Sequence, residues 1–544
     1  MKHYILYTVA LTTLAMPAMA QETYESANIA TQDLNGTARY VGMGGAMEAL
    51  GADISTINSN PAGIGLFRKS SVSMSLGPSF VKGDCANASD LLYIKNSKTP
   101  MSFDQFGLVL SNKTNRGDYV NIGINYNKSR NFNQILSAES DVRGASQNKV
   151  LYHKTGGLLS NYKEQHYTQS DYLYVNTLSS EIGSTDLYYN DAEHMYFAQD
   201  TKGYISNFNI NVSGNHNDRV FWGFTLGFYD VNYSHNQVYS EDLVEYATGG
   251  PTPAGIVTLS DERKITGQGF DLKAGIIFRP IETSPLRVGF SIATPTFYEL
   301  TSSNYTEILN EAYTIDPDDG IKYPVGTHNY LEENAPFYIS DEYDYKVFTP
   351  WRFGASLGYT IGKNIALGAS YEFADYSSID NRYITNRTYN DYYGYDETDS
   401  ESDNRMNNHT ERTLRGVSTL KLGAEYKPTA NLSLRAGYNY VSQMYEDNGM
   451  RNLGLDTDGC YFSSTTNYVN WKATNRFTLG AGYAFDNFNI DVAYQHSSQK
   501  GDFYPFETVD RMVNGDTNIA PCVEVNNNRH QFLLTIGYKF NFDL

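Results

Sequence analysis

The segment that most constrains what this chain can fold into is its closing one, Gln531 to Phe542. Even positions read Phe532, Leu534, Ile536, Tyr538, Phe540 and Phe542, and odd positions read Gln531, Leu533, Thr535, Gly537, Lys539 and Asn541. Successive side chains of a strand point to opposite faces, so a period of two held this long describes one extended strand between two different solvents. Strands of water-soluble domains usually run about 5–6 residues, whereas a tilted strand crossing a bilayer needs roughly 9–11 and ends in interfacial aromatics. The closing segment reads as a membrane-spanning barrel strand.

The same alternation recurs from Ser71 onward, giving fourteen segments in all. Val72-Met74-Leu76 opens the series. Trp222-Phe224-Leu226-Phe228, Phe270-Leu272-Ala274-Ile276-Phe278 and Phe477-Leu479-Ala481-Tyr483-Phe485 continue it. The connections alternate between short ones, such as Asn215 to Arg219, Gly362-Lys363 and Asp486, and long ones, such as Asn133 to Lys202, Tyr239 to Lys264 and Leu300 to Ser340. Short periplasmic turns and long outer loops are the topology of an outer-membrane barrel, and an even strand number allows antiparallel closure. A soluble sandwich has no reason to sort its loops this way.

Met1 to Ala20 carries Lys2 and His3, an apolar run from Tyr4 to Met16, and Pro17-Ala18-Met19-Ala20 before Gln21. That is the pattern of a secretory signal peptide. Elsewhere no run of about 18 apolar residues offers a membrane helix. A net charge of −20, 46 Tyr, 45 Gly and a mean hydropathy of −0.47 suit a barrel with a wet interior and large outer loops, and the acidic balance disfavours nucleic acid as a partner. Cys85, Cys460 and Cys522 all fall in expected outer loops, and the sequence does not say whether any two pair.

Between the signal and the first strand, residues 21–70 do not alternate. Gly42-Met43-Gly44-Gly45-Ala46-Met47 suggests close backbone packing in a confined space. A phosphate-binding reading fails because Met47 stands where a third glycine should be and no strand precedes. An Asp-x-Ser-Thr stretch then leads to Asn60-Pro61-Ala62-Gly63, a tight turn. In this placement the segment resembles the N-terminal hatch of the FadL/TodX outer-membrane transporters of long-chain fatty acids and hydrophobic compounds. The resemblance implies an all-β fold, a 14-stranded antiparallel transmembrane β-barrel over residues 71–544 plugged by a small hatch over 21–70.

Charged residues on the strand faces opposite the apolar ones, among them Asp271, Arg352, Lys421, Glu425 and Arg476, are expected in the lumen or at its rim. A Lys or Arg facing lipid at the midplane would cost roughly 2–4 kcal/mol. They read either as a hydrated lining that satisfies the plug or, for a few, as contacts to a ligand carboxylate. Two outer loops carry helical spacing. Tyr305, Ile308, Leu309, Ala312 and Tyr313 share one helical face, with Asn304 and Glu307 at capping-box spacing, while Tyr239, Leu243, Val244 and Ala247 form a shorter stripe. These faces either pack on each other as a lid or form a surface capture groove for an apolar ligand. The acidic stretch Asp391 to Asn404 reads as a solvated loop tip.

Gly354-Ala355-Ser356-Leu357-Gly358 matches a nucleophile-elbow pattern, but it lies within a regular alternating strand that cannot present the hydroxyl. No metal-site spacing and no cofactor motif were found, and the chain reads as a non-enzyme.

The family resemblance implies passive transport of hydrophobic small molecules: capture in an outer groove, transfer to an internal pocket beside the hatch, and lateral release through a gap at the third strand, Asp118 to Phe132. Its expected surroundings are outer-membrane lipid and lipopolysaccharide, and a monomer is compatible with it. Haem is a weaker ligand candidate. The competing reading is a surface scaffold or secretion accessory barrel whose long loops bind proteins.

Overall fold

The computed structural model describes residues 22–82, 97–114, 118–158, 168–178, 186–247, 250–315, 322–324, 338–390, 395–451 and 463–541. The signal-peptide segment, Cys85 and Cys460 lie outside them, and Cys522 is exposed and forms no disulfide among the described residues.

Fourteen antiparallel strands close into a barrel. They are β1 (Ser70–Lys82), β2 (Met101–Lys113), β3 (Tyr119–Asn131), β4 (Asp191–His216), β5 (Val220–Ala247), β6 (Gly250–Phe278), β7 (Arg287–Ala293, resumed as Phe297–Asn310) and β8 (Tyr338–Phe348, resumed as Arg352–Ile361). They continue with β9 (Ile365–Asp375, resumed as Asp380–Asn390), β10 (Gly416–Tyr426), β11 (Leu432–Val441), β12 (Tyr468–Phe485), β13 (Phe488–Tyr504) and β14 (Val523–Phe540). Each of the fourteen alternating segments falls on one of these strands. Closure runs from Ser70 opposite Phe540 to Val81 opposite Arg529. The interruptions in β7 and β8 fall at Pro295 and Pro350, residues with no N–H to give the ladder.

The alternation sorts the two faces as the sequence implies. Phe532 and Ile536 on β14, Phe224 and Phe228 on β5, Leu272 on β6, Leu357 on β8 and Leu479 on β12 project outward and are exposed, while Leu533, Thr535 and Asp271 are buried inside. A closed apolar belt of this extent is untenable in water and is the surface a bilayer covers. No helix among the described residues is long and apolar enough to cross a membrane.

Strands β4, β5 and β6 run for 26, 28 and 29 residues, far more than a bilayer needs. On β5 the outward apolar series ends at Phe228, and Asp230 and Asn232 follow exposed. The upper parts of these strands join two short helices, α3 (Gln147–Lys154) and α4 (Gln169–Tyr174), in a dome. The dome core includes Leu151, Leu173, Phe197, Tyr239, Leu259 and Phe503.

The helical expectation for the outer loops is corrected here. Asn304 to Asn310 is strand β7, paired on one side with Val257–Arg263 and on the other with Tyr338–Asp341, and Tyr239 to Ala247 is strand β5. Ladders on both edges, with β-branched and aromatic residues such as Tyr305, Thr306 and Ile308 suited to them, outweigh a capping-box spacing. Asn304 is a buried strand residue instead of a cap.

Candidate functional site: a plugged lumen with a breached wall

The hatch descends through the lumen. Its first helix, α1 (Thr23–Ala30), starts where the Glu22 side chain accepts from the Tyr24 N–H, and it lies under α5 (Asn404–Thr413), with Thr23 Oγ1 3.0 Å from Thr410 Oγ1. The second, α2 (Ala38–Gly42), is capped by Thr37, whose hydroxyl donates to both oxygens of Asp53. Beyond α2 the glycine-rich stretch lies directly on the wall. A Cβ at Gly423 or Gly437 would collide with the backbone at Met43 and Gly44, and one at Gly368 with the Ala46 carbonyl. Small residues on both partners allow this approach.

Asn60, Pro61, Ala62 and Gly63 form a turn near the inner end of the barrel. Asn60 Oδ1 accepts from the Ala62 N–H at 3.1 Å, and Asn60 Nδ2 donates to the Phe290 carbonyl at 3.3 Å. Wall glycines Gly223 and Gly275 leave the room that Pro61 and Asn60 occupy.

Charge ties the hatch to the wall at every level. Glu22 pairs with Arg451, Glu25 with Arg263, and Glu48 with Lys421 at 2.9 Å. Arg39 pairs with Glu425 at 3.2 Å, Arg352 donates to Gln32 Oε1 at 2.5 Å, and Arg287 donates to the Leu50 carbonyl at 2.8 Å. These inward charges chiefly satisfy the plug.

Two cavities flank the hatch. The outer, about 230 Å³, lies between α1 and the upper wall, and its lining includes Phe132, Tyr233, Tyr376, Trp471 and several arginines. The inner, about 110 Å³, reaches Asn35, Asn127 and Ser129. Gln32 and Asp33 line both. Asp33 Oδ1 lies 3.3 Å from Arg130 Nη1 and 3.4 Å from Arg476 Nη2, and its Oδ2 lies 3.4 Å from Arg529 Nη1.

At the inner cavity the wall is incomplete. Pairing of β2 with β3 ends at Gln105 opposite Asn127, so the backbones of Met101–Asp104 and Lys128–Asn131 do not pair, and Lys128 Nζ spans them by donating to Ser102 Oγ at 2.9 Å. The hatch covers this breach: Asn35 Nδ2 donates to Asp104 Oδ1 at 3.0 Å and to the Lys128 carbonyl at 3.1 Å, and the Asp33 N–H donates to the Ser129 carbonyl at 2.8 Å. A register shift between Lys128 and Arg130 marks a bulge there, of the kind that ends pairing and re-aims side chains.

Of the outer residues singled out by spacing, Leu243, Val244, Ile308 and Ala312 are at most 4% exposed and belong to the dome. Tyr305 and Leu309 face outward at 40%, and Tyr313 lies beyond β7 with Lys322 over its ring. The structure does not bring the seven together on one surface. Ser356 sits mid-strand, donating to the Gly289 carbonyl at 3.4 Å. Asp33, Asn35, Asp104, Arg130 and Arg529 were not singled out in the sequence. Arg529 shares the inward parity of Gln531 and was within reach of the alternation, whereas Arg130 is turned inward by the bulge.

A closed barrel with an apolar outer belt, short turns at one rim and a dome at the other is an integral outer-membrane barrel, its dome extracellular and its hatch in the lumen. No family model and no curated protein matches this chain. Solved structures of similar course include a Pseudomonas aeruginosa FadL homologue, 14% identical, covering 94% of this chain and 99% of that one at a TM-score of 0.49. The CymD monoaromatic hydrocarbon channel is 12% identical over 94% and 100% at 0.47, and the Ralstonia pickettii toluene transporter TbuX is 12% identical over 94% and 99% at 0.43. At such identities and scores the likeness is one of overall course alone.

Proposed function

We propose that this barrel passes hydrophobic small molecules, of the long-chain fatty acid or aromatic type, passively across the outer membrane and releases them sideways into the lipid. The observation that carries this reading is the inner cavity ending at Asn35, Asn127 and Ser129, beside the part of the wall where β2 and β3 do not pair. A polar saccharide surface excludes apolar solutes, and a route ending in a lateral breach delivers them to the bilayer without crossing the aqueous periplasm. On this view the exit lies beside β3, where its pairing with β2 stops. In this reading Tyr305 and Leu309, exposed on β7, and Tyr313 beyond it make first contact, with Leu243, Val244, Ile308 and Ala312 as the apolar core beneath. The partners are the hydrophobic ligand and the surrounding outer-membrane lipid and lipopolysaccharide.

The test is mass spectrometry of small molecules extracted from the detergent-purified protein, followed by re-binding to the delipidated barrel. A recurring fatty acid or aromatic compound that re-binds saturably supports the reading. An empty barrel that co-purifies with a stoichiometric protein partner contradicts it and favours the scaffold alternative.

A further inference from the structure

On the dome a cleft of about 750 Å³ shares no lining residue with the two cavities beside the hatch. One wall is the segment 140–149, which leads from the strand Gln134–Asp141 into α3, and the other is the segment 516–521 ahead of β14. Asn518, fully buried, ties the walls together: its Oδ1 accepts from the Ser146 N–H at 2.9 Å and its Nδ2 donates to the Ser146 carbonyl at 3.0 Å. The spacing of the two walls is therefore set by the fold. Their surface is of two kinds. Asp141, Asp191 and Asp516 supply carboxylates, while Ile519, 51% exposed, supplies an apolar face with Pro521 nearby. Each carboxylate is oriented through one oxygen. Asp141 Oδ1 lies 2.9 Å from His194 Nδ1, Asp191 Oδ1 pairs with Lys149, and Asp516 Oδ2 accepts from the Tyr189 hydroxyl at 3.0 Å. Tyr189 is itself fixed by Asn514 Nδ2, which donates to its hydroxyl at 3.0 Å, and by Tyr152, packed edge-on against its ring. The second oxygen of each carboxylate has no protein partner among the described residues.

We propose that this cleft binds a neutral oligosaccharide, whose hydroxyls donate to the free oxygens of Asp141, Asp191 and Asp516 while the C–H face of one sugar ring rests on Ile519. Carboxylates accept and never donate when ionised, so a ligand rich in hydroxyl donors is the one they suit. Arg143 and Lys149 share the lining with the three carboxylates, so the charges nearly balance and the cleft has little net attraction for an ion of either sign. Water competes for every such contact, and acceptors already oriented by His194, Lys149 and Tyr189 lower the ordering cost of binding. The dome stands above the apolar belt, on the side of the membrane where saccharide is abundant. The inference goes beyond the transport reading and does not depend on it, because the site lies outside the lumen and takes a hydrophilic ligand.

The test is binding of the full-length barrel, in polyoxyethylene micelles that carry no sugar headgroup, to a printed array of oligosaccharides, detected through a C-terminal tag. The array holds neutral O-antigen fragments, glucans, mannans and galactans, with oligogalacturonate and chitosan oligomers as charged controls. The wild type should bind at least one neutral class saturably and above both controls. Signal on O-antigen assigns the ligand to the surrounding leaflet, and signal on the other neutral glycans alone assigns it to a soluble glycan; either supports the site. Asp516→Asn and Ile519→Ser, both at exposed positions, should each weaken that binding about tenfold through a lost charge-assisted hydrogen bond or a lost apolar contact. Glu245→Gln, at an exposed dome carboxylate outside the cleft, should leave it unchanged. Absence of saturable binding to every neutral class, an equal loss in Glu245→Gln, or wild-type binding by Asp516→Asn barrels that keep the folded gel mobility overturns the proposal.

Discussion

The amide of Asn35 closes a gap in the barrel wall by donating to Asp104 Oδ1 at 3.0 Å, and through the same nitrogen it donates to the Lys128 carbonyl at 3.1 Å. One hatch side chain thus bridges the ends of two strands whose pairing stops short of them. The second oxygen of Asp104 is buried without a hydrogen-bond partner among the described residues, so Asn35 shares the satisfaction of this carboxylate with the Ser102 hydroxyl, which donates to Oδ1 at 2.9 Å.

Asn35→Ala removes both contacts, leaving Asp104 Oδ1 with the Ser102 hydroxyl as its remaining donor and the Lys128 carbonyl without the Asn35 amide, at a cost of about 1–3 kcal/mol for a group left unsatisfied. We expect faster entry of apolar probes into reconstituted vesicles and a lower temperature for the heat-induced gel-mobility shift. Unchanged values of both would show that Asn35 seals nothing.

Glu48 and Lys421 are paired at 2.9 Å with side chains 6% and 9% exposed. Lys421→Met leaves the hatch carboxylate with the Ser370 hydroxyl but without its cation, and breaking a buried pair from one side costs about 3–5 kcal/mol. The double variant Glu48→Gln, Lys421→Met should recover a large part of that loss. Thermal unfolding of the single and double variants checks the order.

Asn60 holds the inner turn of the hatch through its own side chain. Asn60→Ala should destabilise that turn by about 1 kcal/mol, the usual value of a lost cap. Gly275→Val should act more severely, because a Cβ there meets the Asn60 carboxamide. Both should raise small-solute leakage in vesicles. Leakage at the wild-type level in Gly275→Val would contradict a plugging role for the turn.

In the dome, well above the apolar belt, Glu241 is buried and accepts from the Ser146 hydroxyl at 2.5 Å and the Gln147 N–H at 2.8 Å. Burial pushes its carboxyl above the ordinary value. The folded dome therefore binds this proton more tightly than the unfolded chain does. The stability so gained is fully present below the unfolded value of about 4.3 and is lost as pH rises through the raised one. The difference in protease resistance between wild type and Glu241→Gln should shift in favour of the variant as pH rises from 4 to 8. A difference independent of pH would rule out titration of Glu241.

The barrel was legible because its signal is periodic. Phe532, Ile536 and Tyr538 report the lipid face and Thr535 the lumen by position alone. The upper strands were not, because above Phe228 both faces of β5 meet either water or the dome, and the apolar alternation that marks a strand disappears. Spacing then suggested helices at Asn304 and Tyr239, where pairing with the neighbouring strands on both edges decides the outcome. The hatch turn was visible as Asn60-Pro61, yet the Asp33 cluster was not, since its three arginines come from strands far apart in sequence and one of them, Arg130, leaves the alternation at a bulge.

The most direct test of lateral release places cysteines at Asn35 and Asp104, in a chain freed of its native cysteines, and joins them with a short bifunctional thiol reagent that can be cleaved by reduction. Uptake of a labelled fatty acid into reconstituted vesicles is then followed before and after cleavage. A route through the breach requires that cross-linking block uptake and that reduction restore it. Uptake undiminished in the cross-linked barrel would mean that cargo leaves by another path.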